Sequence, residues 1–147
     1  MERSGKKGDG LGKAMKQFLW RTFENLELNP KIEYINSCCE FCDLILEKIK
    51  SAISKKMNIN SSIIVIGQED WGWLLEFQKN EFFYNLCISY QDKDEAKAHN
   101  FVVTVEAQKL EKGFFFNRKI ESETESGEFA KIIEAIAREN RIEVFEE

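Results

Sequence analysis

Cysteines stand at positions 38, 39 and 42, and Cys39 with Cys42 has the C-x-x-C spacing that forms one half of a structural zinc site. A closed zinc site needs four ligands, usually from two separated pairs. The remaining candidates, Cys87 and His99, belong to no paired motif. Cys38, Cys39 and Cys42 also fall on the apolar stripe of a helical pattern, where a free thiol behaves as a small hydrophobe. They are assigned to the core, and neither a metal nor another cofactor is expected.

His99 is the sole histidine and follows a loop rich in acids. It reads as a solvated side chain ahead of a strand. A Cys87–His99 pair would be the simplest nucleophilic site, but no nucleophile elbow or third orienting group accompanies it. Asp92, Asp94 and Glu95 resemble a calcium loop only loosely, since the central glycine and the distal glutamate are missing. Phosphate-binding signatures are absent, and the glycines of residues 8–13 follow no strand. No catalytic residue is assigned, and the chain is expected not to be an enzyme.

Carboxylates offer a different chemistry, that of recognition. Glu121, Glu123, Glu125 and Glu128 crowd one segment, and Asp92, Asp94 and Glu95 another. The whole chain of 147 residues carries a formal charge of −5. That balance argues against nucleic acid, which is bound mainly by neutralising phosphates with Lys and Arg. The charge is uneven: residues 1–22 carry six basic and two acidic side chains, residues 106–147 seven and eleven. No run of about 18 apolar residues is present, so no membrane span is expected, and no secretory signal is read at the start. Free cysteines in this pattern suit a reducing, cytoplasmic setting.

The elements that must position these groups are organised around residues 71–90. Trp71, Trp73, Leu75 and Phe77 alternate on one strand, and Phe82, Tyr84, Leu86, Ile88 and Tyr90 on the next. A turn at Lys79-Asn80 would pair Phe77 with Phe82 and Trp71 with Ile88, placing every apolar side chain on one face. Upstream, residues 1–13 read as a flexible basic tail and residues 14–147 as one domain. Met15, Phe18, Leu19, Trp20 and Phe23 predict a helix over residues 14–25. Ile35, Phe41, Ile45, Leu46, Ile49 and Ile53 predict a long helix over 31–56. Residues 62–66 form a continuous apolar run, expected as a central strand covered on both faces.

Downstream, Phe101, Val103, Val105 and Ala107 alternate as a half-buried strand, and residues 114–120 read as another. Ser122 and Glu125 fit a capping box ahead of a helix carrying Phe129, Ile132, Ile133 and Ile136, with Asn140 as its left-handed stop. Residues 141–145 close the chain as a charged edge strand. The expected fold is α+β: an antiparallel meander of about five strands, packed on one face by the long helix and the C-terminal helix.

The other sheet face would carry Leu74, Glu76, Phe83, Asn85, Cys87, Ser89, Val102, Thr104 and Glu106. One ring and two carboxylates make a poor RNA platform but a reasonable protein interface, with Phe83 ringed by Glu76, Asn85 and Glu106. The expected function is a non-enzymatic, protein-binding module of bacterial type with one specific protein partner, as a monomer or homodimer. Its most concrete form is an immunity-type inhibitor of a basic toxin. The candidate contact residues are Glu76, Phe83, Asn85, Asp92, Asp94, Glu95, Glu106, Glu121, Glu123 and Glu125. The alternatives are a secretion-type chaperone and a small enzyme using Cys87 with His99 or clustered carboxylates.

Overall fold

The structure, a computed structural model, describes residues 15–113 and 117–146. The expected basic tail and the three phenylalanines at 114–116 lie outside the described residues. The strands are β1 (Lys16–Thr22), β2 (Val65–Glu69), β3 (Gly72–Lys79), β4 (Phe82–Lys93), β5 (His99–Lys112), β6 (Asn117–Glu121) and β7 (Ile142–Glu146). The helices are α1 (Cys42–Lys56) and α2 (Glu123–Glu139). All strand pairings are antiparallel, in the order β2-β3-β4-β5-β1-β7, with β6 beside β5. The fold is α+β, with both helices on one face of the sheet.

The core lies between the layers. Leu75, Leu86, Ile88, Phe101, Val103 and Val105 project from the sheet, and Leu46, Ile49, Ile53, Phe129, Ile133 and Ile136 from the helices. Phe129 also packs its ring against Phe77 and Tyr84, at centroid distances of 5.9 and 4.9 Å. Among the described residues no helix is long and apolar enough to cross a membrane.

Residues 16–22 form a strand, not the expected helix. Phe18, Trp20 and Thr22 are buried while Gln17, Leu19 and Arg21 face the other way. The same residues fit both periods, and pairing decides between them. β1 sits between β5 and β7, which satisfy its backbone on both sides.

The long helix begins only at Cys42. Phe41 takes a left-handed φ of 66°, and the preceding segment is spent on docking. The Cys39 carbonyl accepts the Trp73 indole N–H at 2.8 Å, and the Cys39 thiol lies 3.0 Å from the Glu69 carbonyl.

Of the apolar run 62–66, Ser62 and Ile63 lie in a 3-10 turn (Ser61–Ile63) and only Val65 and Ile66 enter a strand. That strand is a sheet edge rather than a central strand, with Ile63 and Val65 exposed. The hairpin register is also corrected. Lys79 pairs with Phe82, Phe77 with Tyr84 and Trp73 with Ile88, so the turn is Asn80-Glu81. Asn80, with φ 56°, supplies the positive φ that a tight hairpin turn needs. A slip of two residues keeps every strand side chain on its face, so the predicted apolar face survives the error except at Trp71, which falls in the turn before β3. Gly72 is fixed by contact, since a Cβ there would sit 2.2 Å from the Ile88 carbonyl oxygen.

At the start of α2, Ser122 caps the helix as expected, its hydroxyl accepting the Glu125 N–H at 3.2 Å. At its end, the left-handed residue is Arg141 (φ 63°), not Asn140 (φ −103°).

Candidate protein-binding face

With both helices on one side, the opposite face of the sheet has no covering layer among the described residues. Strand register sorts that face into bands. Leu19 on β1 stands between Val102 and Phe145, and Val102 pairs with Ser89. Next come Leu74, Cys87, Thr104 and Gln17, paired in that order. Asn85 then stands between Glu76 and Glu106, and Phe83 between Gln78 and Gln108, which pairs with Glu121. An apolar band therefore lies beside a band of carboxylates.

The apolar band has a shallow depression of about 230 Å³, lined by Trp71, Cys87, Ser89, Val102 and Thr104. Trp71 was expected on the buried face. It sits in the β2–β3 turn instead, 41% exposed, and flanks this depression.

In the acidic band, burial pushes the Glu106 carboxyl above its ordinary pKa, and the neighbouring Glu121 charge adds to this. A hydrogen bond from Asn85 partly compensates. Lys119 Nζ lies 3.9 Å over the Phe83 ring, a cation–π contact that leaves Phe83 sheltered but central. Glu76, Phe83, Asn85, Glu106 and Glu121 are thus brought together from four strands.

The other expected contact residues lie elsewhere. Asp94 is built into the β4–β5 turn. It accepts from Asn100 Nδ2 at 3.1 Å, from the Ala98 N–H at 3.1 Å and from Arg21 Nε at 3.0 Å. The Asn100 bond first, then Ala98 and Arg21, hold its carboxyl far below the usual range. Asp92 accepts from Asn100 at 3.0 Å, and Arg21 also pairs with Glu143 at 3.6 Å. These charges are largely offset within the molecule. Glu95 is exposed on the same turn. Glu125 faces the helix side, where it accepts the Tyr84 hydroxyl at 2.6 Å. Glu123 is exposed in the first turn of α2.

The helix side also holds a larger depression of about 490 Å³, near Met57, Lys79, Tyr84 and Glu125. Its polar groups already serve one another: Lys79 Nζ donates to the Met57 carbonyl at 2.7 Å, beside the Tyr84–Glu125 bond.

The Cys87–His99 pairing is ruled out by the pleat. Cys87 lies on the uncovered face, whereas His99 is on the helix face of β5 and pairs with Lys93. Nor is His99 solvated. It is 4% exposed, with Nδ1 2.8 Å from the Tyr90 hydroxyl and its ring 4.7 Å from that of Phe41. Burial, and to a lesser degree Lys93, lowers its pKa. Burial likewise raises the Cys87 thiol. Cys39 and Cys42 are fully buried, all four cysteines are free, and among the described residues no group of three His, Cys, Asp or Glu is placed to hold a metal ion.

Leu19 and Phe145 were missing from the sequence-predicted face. The signal was present as the two-residue alternation of 17–22, masked by an equally good helical period. Comparison with known proteins produced no match to any protein-family model, curated protein or solved structure.

Proposed function

We propose that this chain is a protein-binding module that engages a basic protein partner through the uncovered sheet face, in the manner of an immunity-type inhibitor. The observation that carries the reading is the convergence of Glu76, Glu106 and Glu121 around Asn85 and Phe83, beside the Leu19–Val102–Phe145 band. Apolar surface rimmed by charge is the composition of a non-obligate interface. Partly desolvated carboxylates crowded together gain most from a cation brought to them, which favours Arg or Lys on the partner. Free thiols fit the cytoplasm as the compartment in which this binding occurs.

The test is capture from the source organism with the full chain and, in parallel, with a Glu76→Lys/Glu106→Lys chain. One stoichiometric basic protein should be retained by the first and lost by the second. Its own activity should be suppressed on adding the wild-type chain, and capture should weaken as salt is raised. A partner held equally by both chains, or no partner at all, would sink the reading.

A further inference from the structure

We propose that β2 is a self-association edge. Two copies of this chain would join their sheets antiparallel, across a two-fold axis through Gly67. The inference is independent of the reading of the uncovered face.

Exposed sheet edges are normally blunted by charge or covered. β7 carries Glu143 and Glu146, and Arg138 Nη2 donates to the Val144 carbonyl at 3.4 Å. β6 carries Arg118 and Lys119. β2 reads Val65-Ile66-Gly67-Gln68 before its first charge at Glu69, and no strand lies beyond it among the described residues. The segment just before α1 is tied to this strand through the Gln68 side chain and through the Glu69 carbonyl, which takes the Cys39 thiol at 3.0 Å, and not through the backbone of Ile66 or Gln68. Gln68 accepts the Ile35 N–H at 2.9 Å and donates to the Glu33 carbonyl at 3.2 Å. Exposed apolar side chains gather at the strand: Ile63 at 43%, Val65 at 56% and Trp71 at 41%.

Register shows why the occupant is a second copy. The two-residue turn Asp70-Trp71 closes on the pair Glu69–Gly72. Such a closing pair exchanges both hydrogen bonds, and the antiparallel ladder then alternates. Gly67–Leu74 is therefore bonded inward, and the N–H and C=O of Ile66 and Gln68 point away from β3. A copy centred on Gly67 sets Ile66 against Gln68 of the second copy, twice over, which satisfies all of these groups. It sets Val65 against Glu69, so no like charges meet, and brings Ile63 to the turn that carries Trp71. Gly67 faces Gly67 at the axis, where a Cβ would meet nothing within 4 Å of its own chain. The axis runs perpendicular to the sheet, so both acidic bands end on one side of the assembly.

Sedimentation velocity on the full chain, from low micromolar to near-millimolar concentration, tests this. The mass should rise with concentration toward twice the chain mass. Gly67→Lys, which has room in the single chain, places two cations across the axis and should weaken association at least tenfold with an unchanged circular dichroism spectrum. Mixing the Gly67→Lys chain with a Gly67→Glu chain should restore a one-to-one dimer. Val65→Glu, which sets carboxylate against Glu69, is the second variant should the first misfold. A wild-type chain that stays monomeric throughout, or a dimer indifferent to these substitutions, overturns the proposal.

Discussion

Replacing Ser126 with alanine should destabilise this protein far more than the loss of one hydroxyl on a helix suggests. The reason lies in the edge of β5 that faces β1 and β6. β1 covers that edge only as far as Val105, opposite Lys16, and β6 begins at Gln108, opposite Glu121. Ala107, opposite Tyr84 of β4, falls in the gap, fully buried, with no strand to pair its backbone on that edge. Ser126 takes the place of that strand. Its Oγ accepts the Ala107 N–H at 2.8 Å and donates to the Ala107 carbonyl at 3.1 Å. After Ser126→Ala the carbonyl keeps the Ser122 N–H at 3.2 Å, but the amide is left buried and unpaired. An unsatisfied buried donor costs roughly 1–3 kcal/mol, so a loss of about 2 kcal/mol is expected. At about 2–4 °C per kcal/mol for a domain of this size, Tm should fall by about 4–8 °C. Urea unfolding should show a lower midpoint with an unchanged slope, since the surface exposed is the same. A loss below about 0.5 kcal/mol, the range of an ordinary surface substitution, would refute the account of Ala107. The same contact holds α2 where Glu121 meets Glu106, so the variant should also weaken capture of the partner.

Glu106→Gln should raise stability at pH 7 while weakening partner capture. The folded-state pKa of Glu106 lies above its unfolded value, so ionisation is penalised as pH rises through that folded value. The gain should vanish below the ordinary carboxylate pKa of about 4.3, and thermal melts at pH 4 and pH 7 measure it. A destabilised Glu106→Gln chain at pH 7 would contradict the burial argument. His99 has the opposite dependence. Its folded pKa is lowered, so the stability it contributes is present above the unfolded value of about 6.5 and drains away as pH falls through the folded one. Wild-type protein should therefore weaken between pH 7 and pH 5 more steeply than His99→Gln, which keeps a partner for the Tyr90 hydroxyl. Equal slopes in urea titrations would show that His99 is not the group responsible.

Side-chain period and local turn chemistry explain which features could be read without a structure. The alternation of 73–77, 84–88 and 101–107 assigned each residue to a face, and a two-residue error in hairpin register left that assignment intact because the period is two. That alternation alone places Glu76, Phe83, Asn85 and Glu106 on one face, the face on which the strand register brings them side by side. Ser122 announced the start of α2 through a contact three residues away. Asp94 and Glu125 present free charge in the sequence, but that charge is spent on Arg21, Asn100 and Tyr84, partners that sequence distance conceals.

What the sequence determined by itself, then, was the set of elements with unambiguous periods, their faces, and the acidic character of one of those faces. These follow from properties of a few consecutive residues. Only the tertiary structure decided that 16–22 is a strand, that α1 starts at Cys42, that 65–69 is an edge, and that His99 is buried beside Phe41. Each of those outcomes depends on what lies far along the chain: β5 and β7 for β1, the Trp73 indole for the Cys39 carbonyl, and, among the described residues, no strand beyond β2. When two local conformations are nearly equal in free energy, the long-range pairing that satisfies the buried polar groups selects between them.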